Sequence, residues 1–160
     1  MNTKPIVLGG IAGFLLMGLI VWFTMPSMMI NVHASPYGFE ETVDAMQESV
    51  AAQPGWKVAQ VFDIQKNIIE AGHPGMTRVK IVALCNASYA HRILEDDSDK
   101  VVTTMMPLGL GVYETTDGDV YISEMNVGLV GRMFGGTISE VMGDASADIA
   151  RIISAVSADQ

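Results

Sequence analysis

The stretch Leu108-Gly-Leu-Gly-Val-Tyr-Glu-Thr-Thr-Asp-Gly-Asp-Val-Tyr-Ile-Ser-Glu-Met125 decides the fold class. Two β-forming runs, Leu108 to Thr115 and Asp119 to Met125, flank Thr116-Asp117-Gly118. An Asp-Gly pair between such runs predicts a hairpin, because Gly accepts the positive φ that a tight turn needs. Upstream, Arg78 to Cys85 alternates, with Val79, Ile81, Ala83 and Cys85 on one side, which reads as the apolar face of a strand. Trp56 to Phe62 and Met28 to Ala34 are short and rich in β-formers and read as further strands.

Helical patterns surround these strands. Phe39, Val43, Met46 and Val50 recur at helical spacing with Glu40, Glu41, Asp44 and Glu48 between them, up to the stop at Pro54-Gly55. Ile64 to Ala71 and Ala87 to Leu94 read as short helices, and Glu95-Asp96-Asp97-Ser98-Asp99 as a solvated acidic loop. From Ile138 to Val156 apolar residues lie opposite Asp144, Asp148 and Arg151, an amphipathic helix. Strands mixed with helices around an antiparallel hairpin give an α+β class, a two-layer sandwich of a mainly antiparallel sheet with helices.

The first part of the chain is different. Ile6 to Met25 is 20 residues without a charge: 15 apolar residues, four glycines and Thr24. As a helix it would be roughly 30 Å long at about 1.5 Å per residue, the thickness of a bilayer core. The expected division is therefore a membrane anchor over residues 1–26 and a domain over 27–160. Lys4 and the terminal amine precede the apolar run, which orients the N-terminus to the cytoplasm and the domain to the outer, periplasmic face of a bacterial membrane. Pro26 is expected to stop the helix. Val32-His33-Ala34 has the small-residue form of a signal-peptidase site, but it lies far from the run, and cleavage there would remove a strand. Gly9 and Gly13 form a GxxxG pair at which two anchors can approach.

The charge of the chain excludes one class of partner. Its 18 acidic against 9 basic residues give a formal charge of -9, with no basic face for a phosphate backbone, so no nucleic-acid partner is expected. No GxSxG, HExxH, Walker, GxGxxG or CxxCH pattern occurs, which removes the common hydrolase, zinc-protease, nucleotide-enzyme and covalent-haem readings.

The candidate site residues are few. Cys85 is the only cysteine, so the chain holds no internal disulfide. It stands at a strand end followed by Asn86 and a helix N-terminus, a setting suited to a sulfur that ligates a metal or attacks a sulfur electrophile. As a core residue it would act simply as a small hydrophobe. His73, in a loop before Pro74-Gly75, ranks ahead of His33 and His91 as a ligand or acid/base group. The 12 methionines fill irregular cores in the ordinary case, but Met28-Met29 and Met105-Met106 also offer soft thioether ligands for copper(I) or haem iron. Gly131 and Gly135, four apart, would form a bare stripe for a flat ligand or another backbone if helical; otherwise they belong to a glycine-rich loop.

Taken together, Ser35-Pro36-Tyr37, Glu40-Glu41-Thr42-Val43, Ala71-Gly72-His73, Ala83-Leu84-Cys85-Asn86, Tyr89-Ala90, Met105-Met106-Pro107, Val112-Tyr113-Glu114, Tyr121-Ile122-Ser123, Met125-Asn126, Met133-Phe134-Gly135-Gly136 and Val141-Met142 carry a resemblance. From Met28 to Val156 the chain resembles the bacterial DUF302 family. The resemblance implies a small two-layer α+β fold and no particular activity. Many members have a cysteine after Met-Pro where this chain has Leu108, so dithiol chemistry does not carry over to Cys85 alone.

The expected function is a membrane-anchored, outward-facing protein that binds a small ligand or redox cofactor, non-covalent haem or a soft metal, through Cys85, with His73, Met106, Gly131 and Gly135 nearby. The alternatives are thiol or sulfur-transfer chemistry at Cys85 with His73 as base, and a structural homo-oligomer assembled through Gly131 and Gly135.

Overall fold

The computed structural model describes residues 4–158, and before residue 30 the side chains of residues 9, 13–25 and 27–29 only. The first helix, α1, spans Lys4–Met29. It does not stop at Pro26, so Met28 and Met29 are helical and the strand begins only at Ile30. Proline fixes a φ that suits a helix and costs it one N–H bond, so the helix can run through it. Nearby, the Thr24 hydroxyl donates to the Ile20 carbonyl at 2.9 Å and the Ser27 hydroxyl to the Thr24 carbonyl at 2.8 Å. Trp22 and Phe23 are both exposed. Among the described residues no helix is long and apolar enough to cross a membrane; most of the side chains of residues 6–12 lie outside the described residues.

Five strands follow: β1 (Ile30–Ala34), β2 (Trp56–Asp63), β3 (Val79–Asn86), β4 (Leu108–Glu114) and β5 (Val120–Met125). They form one sheet in the order β1-β5-β4-β3-β2, with every neighbouring pair antiparallel. The hairpin read from Asp117-Gly118 is present between β4 and β5, with Gly118 at φ 90°. The helices are α2 (Phe39–Ala52), α3 (Ile64–Glu70), α4 (Ala87–Leu94), α5 (Val127–Arg132) and α6 (Gly136–Ser154), and a 3-10 helix covers Asp99–Met105. Two of these elements replace expected loops. The 3-10 helix takes up the end of the acidic stretch because Val102 is buried with Ile93, Val141 and Met142. The segment read as a glycine-rich loop contains α5, capped by Asn126, whose Oδ1 accepts from the Leu129 amide at 3.0 Å.

Alternation divides the sheet into two unlike faces. On one face Val82 and Leu84 of β3, Leu110 and Val112 of β4 and Ile122 of β5 pack with Phe39, Met46 and Val50 of α2 and Ile149 and Ile152 of α6. This is the core. The other face carries Ile30 and Val32 of β1, Lys57, Gln60 and Phe62 of β2, Ile81 and Cys85 of β3, Gly109, Gly111 and Tyr113 of β4, and Tyr121, Ser123 and Met125 of β5. The Val79–Cys85 set read as the apolar face of its strand is thus on the side away from the main core. Of that set only Ala83 is buried, while Val82 and Leu84 between them are fully buried in the core. Both sets are apolar, so periodicity alone does not say which one the helices cover.

Candidate functional site

The end of β3 is where the sequence-derived candidates meet a cavity. Asn86, 7 % exposed, closes the strand and opens α4: its Oδ1 accepts from the amides of Ser88 at 3.0 Å and Tyr89 at 3.3 Å. It also lies against Gly55, where a Cβ would stand 3.0 Å from Asn86 Nδ2 and where φ is +79°. Glycine at 55 therefore lets the turn before β2 close over the cap. That closure sets Trp56, the first residue of β2, opposite Asn86 in register.

Trp56 and Tyr89 meet edge to face, with ring centroids 5.9 Å apart. Both donate to one carboxylate oxygen of Asp148 on α6, the Trp56 Nε1 at 2.9 Å and the Tyr89 hydroxyl at 3.0 Å, while Arg151 pairs with the other oxygen. Burial first, and then the bond to Asp148, raise the Tyr89 hydroxyl above its ordinary pKa, so it remains a neutral donor at ordinary pH. Asp148 was expected on the polar face of its helix; it is 8 % exposed and faces inward, because Trp56 and Tyr89 bring it two donors.

This network backs a cavity of about 470 Å³, its open mouth included, between β3, α4, the 3-10 helix and α6. Its walls are mostly apolar, with Leu84, Ile93 and Val141 among them. Met105, Met106 and Met142 also line it, and Cys85 borders it. Cys85 is only half-buried and alternates away from Leu84 and Asn86, so it meets the cavity at its edge. Three methionines thus line one place, with the Cys85 side chain beside it on the sheet's other face. Spacing brought Met105 and Met106 into consideration; Met142 is added by the fold, since α6 reaches the cavity from far along the chain.

The other candidates lie elsewhere. His73 is exposed in the connection between α3 and β3, at the opposite end of β3 from Cys85. Val79, where the strand begins, and Cys85 are six positions apart, about 20 Å along the strand. Gly131 is buried in α5 against α6, where a Cβ would come within 2.5 Å of Met142 Cβ. Gly135 caps α6 in open space at φ +73°, beyond the end of α5. The two glycines form no shared helical stripe, and the surface at Gly131 is already occupied by Met142. Met28 is exposed near the end of α1, and His91 pairs with Glu95 on the surface. His33 approaches Glu124, Nε2 to Oε1 at 3.6 Å, beneath α6 at the far edge of the sheet. Among the described residues no group of three His, Cys, Asp or Glu side chains is close enough to hold a metal ion.

Comparison with known proteins agrees with this architecture. The family model described as "Domain of unknown function DUF302" matches residues 31–156. A crystal structure of an uncharacterized conserved protein DUF302 from Bacillus stearothermophilus superposes with a TM-score of 0.71 at 25% identity, covering 81% of this chain and 98% of that one. Among curated proteins there is no match. The chain belongs to the DUF302 family.

Proposed function

We propose that this chain is a binding protein rather than an enzyme, and that the cavity at the Cys85 end of β3 takes a small, soft ligand. The observation that carries this reading is a mostly apolar cavity lined by Met105, Met106 and Met142, with Cys85 of β3 at its edge. Its enclosed part is about 50 Å³, room for a metal ion or a few waters, so a larger group such as haem would sit across the open mouth. Thiolate and thioether sulfurs select soft metals, copper(I) foremost, and the same groups serve as axial ligands of haem iron. Thiol or sulfur-transfer chemistry is the weaker reading, because His73, the base it would use, is at the other end of the strand.

Copper(I) titrated into the full-length chain in detergent against a competing chelator tests the reading, alongside elemental analysis and an absorption spectrum of protein from cells supplied with iron and haem precursor. Stoichiometric copper or a haem band is expected, and Cys85→Ser should weaken binding at least about tenfold, as loss of one of few ligands does. Binding unchanged in Cys85→Ser removes that residue from the site, and no binding of either probe overturns the reading.

The uncharged run Ile6–Met25 further supports an anchoring role for α1, with the domain on the outer face. Signal-peptidase cleavage after Ala34 would remove β1, which pairs with β5 over its whole length, so an uncleaved anchor fits better. Bacterial membranes washed with alkaline carbonate should retain the full-length chain, with its N-terminal residues intact by mass spectrometry. Release into the supernatant would count against the anchor.

A further inference from the structure

The face of the sheet opposite the main core is, from the geometry, a homodimer interface: we infer that two copies of this chain pack sheet to sheet through it. Among the described residues of that face Lys57 is the single charged side chain, in a chain whose formal charge is -9. It is open rather than buried, with Ile30 49%, Val32 51% and Phe62 38% exposed. It is also low in relief. The central strand β4 carries Gly109 and Gly111, and neighbouring side chains lean over them: a Cβ at Gly109 would meet Ile81 at 3.1 Å and one at Gly111 would meet Ser123 Oγ at 2.6 Å. The result is a shallow apolar groove along the middle of the face.

Charge decides the occupant. Two copies of so acidic a chain repel each other over most of their surfaces, and the uncharged face is where they can approach without that cost. A basic partner would be drawn to the acidic surfaces instead. An anionic lipid surface finds only Lys57 to attract it. Five strands at about 4.8 Å spacing and roughly 20 Å length give a plan area of roughly 480 Å², comparable to the roughly 600 Å² per partner at the lower end of stable interfaces. Large exposed apolar patches rimmed by polar residues are themselves the mark of interaction sites.

Twofold axes along or across the strands both lay β4 on β4, and the anchor read for α1 selects the first. With β4 central, a twofold axis parallel to the strands lays β4 on β4 of the second copy, β5 on its β3 and β1 on its β2. Such an axis preserves strand direction, so both α1 helices leave the dimer at the same end. Two copies anchored in one membrane require that arrangement; the interface itself does not depend on the anchor.

Mass measured by light scattering on the full-length chain in detergent tests the interface, at micromolar protein. A dimer is expected. Placing acids at exposed positions of the face, Val32→Glu with Phe62→Glu, should raise the dimer dissociation constant at least about 100-fold, since each buries uncompensated charge. Thr103→Glu on the exposed 3-10 helix should leave the dimer intact. Circular dichroism checks that the variants fold; should the double variant fail to, Val32→Glu alone serves. A monomeric wild type, or a dimer that survives the acids on the face and so is held by α1 or another surface, overturns the inference. So does a face that becomes protected from hydrogen exchange only on addition of lipid.

Discussion

Replacing Asp148 with alanine should destabilise the domain by about 3–5 kcal/mol, the loss of two hydrogen bonds to a buried charged acceptor. The carboxylate accepts from Trp56 Nε1 and the Tyr89 hydroxyl and pairs with Arg151, and both Asp148 and Trp56 are buried. Without it two donors lose their acceptor, each bond to a charged group contributing roughly 1.5–3 kcal/mol. Asp148→Asn keeps one acceptor oxygen and should lose about half as much. Urea unfolding of the variants, followed by far-ultraviolet circular dichroism, measures both. A loss below about 1 kcal/mol in Asp148→Ala would mean that water replaces the carboxylate as acceptor. Because Trp56 and Tyr89 also line the Cys85 cavity, the same variants should weaken ligand binding there while Cys85 itself is untouched.

Gly131→Val is expected to cost about 3 kcal/mol, the upper part of the range for overpacking a core. A Cβ at this position would come within 2.5 Å of Met142 Cβ, and at Gly128 within 2.9 Å of Ser146 Oγ, so α5 and α6 touch through two glycines one turn apart. Met142 Cβ sits next to the backbone and cannot swing aside, so the helices themselves must separate. Their separation would also move Met142 at the cavity wall. Thermal unfolding of Gly131→Val compared with Gly143→Val distinguishes this packing role from the cost of the substitution itself. Gly143 is in open space on α6 with an ordinary helical backbone, so that variant should lose far less. A Gly131→Val protein as stable as the wild type would show that the contact is not close.

Much of the fold was legible because its elements announce themselves locally. Asp117-Gly118 marked the β4–β5 turn through glycine's freedom at positive φ, and Cys85-Asn86 marked the change from a strand end to a helix N-terminus. The run Phe39–Val50 marked α2 through its apolar stripe. Two local readings went astray where tertiary packing outweighed local signals. Gly128 and Gly131 look like loop residues until α6 is placed against them; then their missing side chains become the reason α5 can form there. Asp148 looks like a solvent-facing acid until Trp56 and Tyr89, far away in sequence, supply donors that make its burial favourable.

The candidate site divides in the same way. The single thiol, the methionine pair at 105 and 106 and the uncharged N-terminal run are properties of composition and order, and the sequence by itself determined them, together with the α+β class and the DUF302 resemblance. Only the tertiary structure decided that Met142 joins Met105 and Met106 around a cavity bordered by Cys85, and that His73 stands at the other end of β3. It also decided which of two apolar strand faces is core and which is open. The physical reason is that alternation and helical periodicity report which residues share a face, whereas what that face meets depends on contacts between segments distant along the chain.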